Sequence, residues 1–344
     1  MKIKKLSKLD IKNNPDVNSR FLTVSIETVL PNYKIYKGDF YLDSFNYFPI
    51  TKDNFSFGLF RWKVNSDYNH FFTKKFYSIF KRNIKDFKVF NNVVVIGASP
   101  NNNYYRNLIT YIPRILFIID KRINLAIHRN SSNRLRIFIE DFLKKRGVRI
   151  NKFIYLDDGF YSFKNSQIPQ FFSKRSSVKI INKVFKKNYI NKDRIYLTRK
   201  NANFRKIINE SDLINELKSK NFKIIDLESL SIDRQIDIFS SAEIVISPTG
   251  SALANIVFCN KGSKIFEIKP IYKYEYENNL KSRYSDICKL LEFEYFSIEA
   301  DPIPTDSYDE NIKKFIDNNI LKQSNYYKNL LVKTNEFKKL ISKI

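Results

Sequence analysis

Ile244-Val245-Ile246-Ser247-Pro248-Thr249-Gly250-Ser251-Ala252-Leu253-Ala254-Asn255 is the stretch that decides the fold of this chain. A short β-branched run leads into a Ser-Pro-Thr-Gly-Ser turn, and apolar residues then recur at helical spacing at Leu253, Ile256 and Val257. This pattern predicts a strand, a tight loop and a helix in succession.

The loop after this strand is predicted to bind an anion. The backbone amides of Gly250, Ser251 and Ala252 would lie at a helix N-terminus, where the helix dipole favours a phosphate. Gly250 lets the backbone approach a ligand closely, and Thr249 and Ser251 carry hydroxyl donors. Glu267, on the next predicted strand, would share this sheet edge, where a carboxylate can accept from the hydroxyls of a ribose. The plain alternative is a strand, turn and helix in which the serine only caps the helix and the glutamate is solvated.

The length of the chain favours two domains and therefore a cleft. It has 344 residues and a mass of 41.0 kDa, against a typical domain of about 150 residues. Hydrophobic residues make up 43% and aromatic residues 15% of the chain, which supplies enough apolar surface for buried cores and argues against disorder.

The chain is strongly basic, with a formal net charge of +26. Such a charge suits a polyanion, but the lysines are scattered among asparagine, isoleucine and aromatic residues, and no nucleic-acid-binding motif accompanies them. We therefore expect no specific nucleic-acid partner. The basic surface suits an anionic nucleotide or the anionic face of a membrane better.

Cysteine and histidine are too sparse to predict a metal site or a disulfide framework. The chain has Cys259 and Cys288, and His70 and His128, all in separate segments. The apolar run 115–119 is far shorter than the ~20 residues that span a bilayer, and no secretory leader follows Met1. The expected location is the cytoplasm, with possible peripheral contact at the inner face of the membrane.

Four regions are predicted along the chain: a strand-rich extension over 1–88, a Rossmann-like domain over 89–190, a second one over 191–306, and C-terminal helices over 307–344. The extension contains possible strands and an amphipathic helix, and the stretch 161–191 is interpreted as the connection between the domains. In the tail, Leu330, Leu331 and Phe337 are interpreted as apolar positions of helices. The predicted strands are 21–26, 34–42, 55–64, 93–96, 123–127, 152–156, 194–199, 222–227 and 243–247. The predicted helices are 71–80, 104–117 with a break at Pro113, 132–147, one beginning at Asn209 and one capped by Ser231.

Strands that alternate with helices at these lengths predict parallel sheets covered on both faces. Asp157 and Asp158 follow one strand of the first domain, at the edge where ligands bind, so they are candidates for a general base. One carboxylate could hold the other partly protonated. The alternative is an Asp-Asp-Gly turn in which Gly159 supplies a positive φ.

Arg199 and Arg205 follow the first strand of the second domain and would share an edge with the Thr249–Gly250–Ser251 loop. Arginine forms bidentate, charge-assisted bonds to phosphate oxygens, so the two side chains beside a helix N-terminus predict a pyrophosphate clamp. The alternative is a pair of surface arginines in a basic protein.

The order and spacing of these residues resemble glycosyltransferase family 61. The resemblance covers about 75 residues, from Arg194 to Pro270. It rests on Arg194-Ile195-Tyr196-Leu197-Thr198-Arg199 with Arg205, Asn209-Glu210, Gln235 with Phe239, Pro248-Thr249-Gly250-Ser251-Ala252-Leu253-Ala254-Asn255, and Glu267-Ile268-Lys269-Pro270, with weaker similarity at Asn103-Tyr104-Tyr105-Arg106-Asn107-Leu108 and Pro113-Arg114.

The resemblance implies an inverting transferase of α/β, GT-B-like architecture, in which two facing Rossmann-like domains with parallel sheets enclose a ligand cleft. It implies a nucleoside diphosphate sugar donor without a metal, and a glycan or lipid-linked glycan acceptor such as a capsule or lipopolysaccharide O-chain. The donor residues would be Arg199, Arg205, Thr249, Gly250, Ser251, Ala252, Asn255 and Glu267, and the catalytic candidates Asp157, Asp158 and Arg106.

Two positions depart from the family pattern. The family usually has histidine where this chain has Thr249, and His-Trp where it has Arg106-Asn107. The donor could differ, with Thr249 and Arg106 meeting a more anionic group, or the enzyme could be a degenerate member. The rival class is a non-catalytic or nucleic-acid-associated basic protein on a Rossmann scaffold.

Overall fold

The structure, a computed structural model, describes residues 4–6, 21–26, 30–44, 47–51, 55–57, 86–189, 192–274, 277–305, 308, 313 and 318–344. The chain divides into two compact units, Met1–Ser177 and Val178–Ile344. Both units combine helices with sheets that contain parallel strands, which confirms the α/β prediction. The predicted helix over 71–80 and the end of the predicted strand over 55–64 lie outside the described residues.

The first unit is built around a mixed sheet. Among the described residues this sheet has eight strands in the order β2-β3-β10-β7-β8-β9, with β4 paired to β3 and β6 paired to β10. In this sheet the pairs β6–β10, β10–β7, β7–β8 and β8–β9 are parallel. The pairs β2–β3, β3–β4 and β3–β10 are antiparallel. The strands predicted to form a parallel sheet, β7, β8 and β9, do pair in parallel, whereas every antiparallel pair involves β3, which lies in the predicted extension. The strands are β1 Lys4–Leu6, β2 Phe21–Ile26, β3 Leu30–Asp43, β4 Phe48–Thr51, β5 Phe55–Phe57, β6 Lys88–Asn91, β7 Val93–Val95, β8 Arg122–His128, β9 Arg149–Leu156 and β10 Phe160–Pro169.

Residues 161–191 were interpreted as the connection between the domains, and the boundary between the two units, after Ser177, falls in this stretch, but the stretch begins inside strand β10. Strand β10 joins the parallel and the antiparallel parts of the sheet, with Phe163 and Ile168 fully buried. Its middle residues are polar and hide the alternation that marks a strand. Asn165 has φ 44° at a register shift, and the Ser166 hydroxyl accepts from the Val93 amide at 3.0 Å, so polar groups here satisfy the backbone inside the sheet.

The helices of the first unit follow their capping and breaking signals. The helix Asn133–Lys145 begins after Ser132, whose hydroxyl accepts from the Leu135 amide at 3.3 Å, as predicted. The predicted break at Pro113 is confirmed, because proline lacks the amide that an α-helix needs. Here the chain passes from α1 Tyr104–Arg106 through a π-helical segment Asn107–Tyr111 to a 3-10 helix Ile112–Phe117, and α2 Asn133–Lys145 and α3 Lys174–Phe185 follow.

The second unit is built around a mostly parallel sheet. Within the described part of the chain its six strands lie in the order β12-β11-β13-β14-β15-β16, and all neighbours are parallel except β15 and β16. The helix after Asn209 and the helix capped by Ser231 are both present, as predicted. The elements are β11 Asp193–Leu197, α4 Glu210–Ser219, β12 Lys223–Ile225, α5 Ile232–Ser240, β13 Ala242–Pro248, β14 Lys264–Pro270, α6 Asn278–Lys281, α7 Arg283–Leu291, β15 Glu294–Ile303, α8 Asn318–Gln323, β16 Asn329–Leu331 and α9 Thr334–Ile341.

The C-terminal tail belongs to the core of the second unit. Leu330 and Leu331 form strand β16, which pairs with β15, so their assignment to a helix was wrong. A strand of three residues is too short to show a period of its own, and pairing with β15 decides its conformation. Phe337 on α9 is buried in the same cluster as Leu213 and Leu217 of α4.

Parallel order places the carboxyl ends of β11, β13 and β14 at one edge of the second sheet. The loops that carry Arg199 and Gly250 leave from this edge. Within the described ranges, no helix has both the length and the apolar character that a membrane crossing demands.

Candidate functional site

The contact between Arg199 and Gly250 defines the site. A Cβ atom added to Gly250 would lie 2.3 Å from Arg199 Nη1 and 3.0 Å from Arg199 Cζ, so the guanidinium group occupies the space that a side chain would fill. Gly250 has φ 170°, an extended conformation open to any residue. The glycine is therefore required for space, and the structure brings together two residues from the loops that follow separate strands.

Arg205 lies beside this contact, and two of its hydrogen-bond donors have no partner among the described residues. Its guanidinium lies 4.0 Å from the ring centroid of Tyr326 and 4.5 Å from that of Phe204, and the residue is 5% exposed. Its Nε and Nη1 atoms, and Nε of Arg199, are buried and have no hydrogen-bond partner in the described structure. Buried donors without acceptors cost free energy, and a bound anion would satisfy them.

The two arginines also repel each other. Burial lowers the pKa of Arg199, and the nearby positive charge of Arg205 lowers it further, to about 10. Arg199 therefore remains charged near neutral pH, and two guanidinium groups held together in a poorly hydrated place favour an anion with at least two negative charges.

The backbone around the arginines is held by buried contacts. Arg205 has φ 60°, and the next residue, Lys206, donates its amide to Asn329 Oδ1 at 3.1 Å and accepts from the Leu330 amide at 2.8 Å. Nη2 of Arg199 donates to the Phe204 carbonyl at 3.2 Å. The tail of the chain thus fixes the loop that carries Arg205.

Glu210 has a structural part in the site. Its carboxylate accepts from the Tyr196 hydroxyl at 2.8 Å and from the Thr198 hydroxyl at 2.9 Å. The first residue of α4 thereby secures the end of β11 just before Arg199.

The turn after β13 leads into a 3-10 helix, Ser251–Phe258, where a helix of unspecified type was expected. The Tyr284 hydroxyl donates to the Gly250 carbonyl. Asn255 is 0% exposed, and its Nδ2 donates to Gln235 Oε1 and to the Ala252 carbonyl, both at 3.0 Å. Ser251 and Ala252 are half-buried at the start of the helix, next to Gly250.

Thr249 and Glu267 form an inner layer beneath the turn. Glu267 is paired with Ser247 across the β13–β14 ladder and is 0% exposed. Its Oε2 accepts from the Tyr295 hydroxyl at 2.6 Å, and Thr249, also buried, interacts with the same carboxyl group. Burial raises the pKa of Glu267. In this conformation the carboxyl group supports the turn and presents no surface to a ribose.

Sequence reasoning missed two residues of the site. Arg283, the first residue of α7, donates from Nη1 to the Tyr326 hydroxyl at 3.3 Å. Burial would raise the pKa of Tyr326, but Arg205 and Arg283 outweigh it and lower the pKa to about 8. No motif marks either residue, and no element predicted from the sequence contains Arg283.

Asp157 and Asp158 each pair with a different basic side chain. Arg129 donates to Asp157 from Nε at 2.5 Å and from Nη2 at 3.1 Å, and this contact lowers the pKa of Asp157. Nε2 of His128 lies 2.8 Å from Asp158 Oδ1. The structure therefore pairs each carboxylate with a basic side chain and not with the other carboxylate. Gly159 does not adopt the positive φ that was predicted for the turn.

His128 is 1% exposed, whereas the side chain of Asp158 is 52% exposed. Nδ1 of His128 accepts from the Asn130 amide at 3.2 Å, which assigns the proton to Nε2 and directs it towards Asp158. The Asp158 carboxylate thus faces solvent and is hydrogen-bonded to the buried imidazole of His128.

Arg106 and Arg114 lie in the helical segment of the first unit. Arg106 is half-buried in α1, near enough to Tyr111 to influence its pKa. Arg114 is 0% exposed and donates to the carbonyls of Pro169, Val95 and Ile96, and burial lowers its pKa to about 9. Arg114 therefore joins the ends of β7 and β10 and is structural.

A cavity of ≈ 300 Å³ lies at the other edge of the second sheet, by the amino ends of β11 and β12. Its acidic side chains already pair with lysines: Asp193 with Lys223 at 2.7 Å, and Asp237 with Lys187. In the described ranges, no group of three or more histidine, cysteine, aspartate or glutamate side chains is arranged to hold a metal ion.

The second unit is thus an α/β scaffold with a cationic, poorly hydrated site at the carboxyl edge of its mostly parallel sheet. A family model described as Glycosyltransferase 61 matches residues 63–266, which is more than half of the chain. The chain belongs to glycosyltransferase family 61, and this membership supports a sugar-transferring enzyme. No curated protein matches the chain.

Proposed function

We propose that the protein is an inverting glycosyltransferase that moves a sugar from a nucleoside diphosphate sugar to a hydroxyl group of a surface-glycan acceptor. The observation that carries the proposal is the pair of guanidinium groups of Arg199 and Arg205, buried beside Gly250 with unused donors. We further propose the GT-B arrangement of two facing domains, with the donor bound by the second unit.

The donor diphosphate would bind between the arginines and the turn. Arg199 and Arg205 supply charge-assisted hydrogen bonds, and the amides of Gly250, Ser251 and Ala252 supply further donors. Thr249, Asn255 and Glu267 hold the turn from below, and a rearrangement around Glu267 would be needed for direct contact with a ribose.

Inversion at the anomeric carbon takes one in-line displacement. A general base removes the proton of the acceptor hydroxyl, the acceptor oxygen forms a bond to the anomeric carbon, and the bond to the diphosphate oxygen breaks with its electron pair. Arg199 and Arg205 stabilise the diphosphate as it gains charge, so fixed positive charge serves where other enzymes use a divalent ion. Asp158 is the preferred base and Asp157 the second candidate, because Arg129 already occupies Asp157.

The acceptor and the location are inferred from the family and from charge. We propose a growing glycan such as a capsule or an O-antigen, on a lipid carrier at the inner face of the membrane. A net charge of +26 favours peripheral contact with anionic lipid. Arg106, half-buried in the first unit, would meet an anionic group of the acceptor or the donor.

The test is a screen of the purified protein against a panel of nucleotide sugars, with release of free nucleoside diphosphate as the readout. Arg205→Gln should abolish release, whereas Arg234→Gln, which removes a charge from a side chain that is 63% exposed on α5, should not. If no nucleoside diphosphate binds, or if both variants behave alike, the proposal is wrong. Salt-sensitive binding to any DNA without a nucleotide effect would support the rival basic protein.

A further inference from the structure

The end of the chain, beyond the matched residues 63–266, reaches the anion site. Tyr326 lies in a 3-10 turn, Asn325–Tyr327, and Arg283 begins α7. The Arg205 guanidinium packs on the Tyr326 ring at 4.0 Å, and Arg283 Nη1 donates to the Tyr326 hydroxyl at 3.3 Å. Tyr326 and Arg283, which belong to separate elements, therefore contact each other, and Tyr326 also contacts Arg205, one cation of the proposed clamp.

Buried contacts hold Tyr326 in place before any ligand binds. Glu277 is 0% exposed, and its Oε2 accepts from the amides of Lys273 and Tyr274 at 3.0 Å. Its Oε1 accepts from the hydroxyl of Ser324, which in turn accepts from the Tyr326 amide at 3.2 Å. Glu277 thereby ties the loop after β14 to the turn that carries Tyr326.

The same turn is fixed from a second direction. Asn325 Nδ2 donates to the Ile271 carbonyl at 2.8 Å, and the loop of Arg205 is bonded to Asn329 and Leu330. Preorganised positions of this kind are typical of binding sites, because a ligand then does not bear the cost of ordering them.

We propose that Arg283 is a third diphosphate-binding residue and that Tyr326 positions Arg205 and Arg283 for that contact. The inference rests on the proposed function and deepens it: the ligand is the diphosphate of the donor, and the tail supplies part of its site. Three guanidinium groups match the negative charge of a nucleoside diphosphate better than two. The Tyr326 hydroxyl accepts from Arg283 while its ring supports Arg205, so one residue sets the distance between two cations.

The acidity of the Tyr326 hydroxyl supports this placement. Its pKa of about 8, lowered by Arg205 and Arg283 against the effect of burial, shows that both cations act on one hydroxyl group. A diphosphate and an ionised Tyr326 are both anions that would bind the same arginines. Ionisation of Tyr326 would therefore lower the affinity for the diphosphate.

The experiment measures dissociation constants of inorganic pyrophosphate and of UDP, GDP and ADP by calorimetry at constant ionic strength, near pH 7. Arg283→Gln should weaken pyrophosphate and the best nucleotide by about tenfold or more, as expected for a lost charge-assisted bond. Arg283→Lys should recover part of the loss. Tyr327→Phe, a neighbour whose ring packs on Phe204, is the matched control and should bind as the wild type does.

Tyr326→Phe keeps the ring under Arg205 and removes the hydroxyl, so it should weaken binding by a smaller factor. Thermal unfolding of each variant checks that the unit remains folded. Should Arg283→Gln bind pyrophosphate with wild-type affinity, the inference is overturned while the proposed function stands. If the wild type binds neither pyrophosphate nor any of the nucleotides, both fail together.

Discussion

Replacing Gly250 with alanine should weaken diphosphate binding and leave the second unit folded. The new Cβ would lie 2.3 Å from Arg199 Nη1, a distance that non-bonded atoms do not tolerate, so the guanidinium must move. The backbone itself accepts alanine, because φ is 170° at this position. The substitution therefore acts on Arg199 and not on the conformation of the turn.

The magnitude follows from the contact that is lost. A hydrogen bond to a charged group contributes about 1.5–3 kcal/mol, so displacing Arg199 should raise the dissociation constant for pyrophosphate by roughly 10- to 150-fold. Crowding in a packed region costs about 1–3 kcal/mol of stability. Because the new Cβ meets the flexible end of an arginine side chain, we expect a loss of stability near the lower end of this range.

Gly262→Ala is the matched control. Gly262 has φ 84°, and among the described residues no heavy atom lies within 4 Å of a Cβ placed there. Alanine at this position should cost about 1 kcal/mol of stability through backbone strain and leave pyrophosphate affinity unchanged. Comparing the two variants separates loss of binding from loss of stability.

A double-mutant cycle with Arg199→Ala completes the test. Once Arg199 is removed, Gly250→Ala should have almost no further effect on the dissociation constant, because the two residues act through one contact. Calorimetric titration with pyrophosphate measures all four proteins. Wild-type affinity in Gly250→Ala, or additive losses in the double variant, would refute the reasoning.

Three further results are expected. Pyrophosphate affinity should fall as pH rises through about 8, by up to about tenfold per pH unit, because the Tyr326 hydroxyl ionises there and binding must reprotonate it; a pH series of titrations should show no such trend in Tyr326→Phe. Asp158→Asn should lower the transfer rate by about 10²–10⁴-fold with unchanged donor affinity, whereas Asp157→Asn should retain transfer. Steady-state kinetics measure both variants, and equal transfer rates in the two would contradict the assignment of Asp158 as the base. Arg114→Met should destabilise the first unit by about 3 kcal/mol in urea unfolding, because three buried carbonyls lose their donor, and pyrophosphate binding should persist.

The second unit followed most closely from local pattern. Apolar periodicity predicted β11, α5 and β13, and the Ser231 hydroxyl caps α5 as expected. Parallel order then implied that Arg199 and Gly250 would lie at one edge of the sheet. These features depend on residues close together in the sequence, or on a single rule of sheet topology, so they can be inferred without coordinates.

The first unit shows where such inference fails. Strand β10 carries polar residues at positions that the sheet satisfies internally, as with the Ser166 hydroxyl and the Val93 amide. A polar residue that is satisfied by a distant partner looks the same in sequence as one exposed to water. The partners of Asp157 and Asp158 were missed for the same reason, because Arg129 and His128 reach them from β8 and the turn that follows it.

By itself, the sequence determined the α/β class, the order of strands and helices from β11 to β14, and the presence of two arginines after β11. Tertiary structure alone decided that Glu267 is buried beneath the turn, that Leu330 lies in a strand, and that Tyr326 and Arg283 reach Arg205. Periodicity reports only neighbours along the chain, whereas burial, side-chain pairing and the sharing of charge depend on which distant segments the core brings into contact.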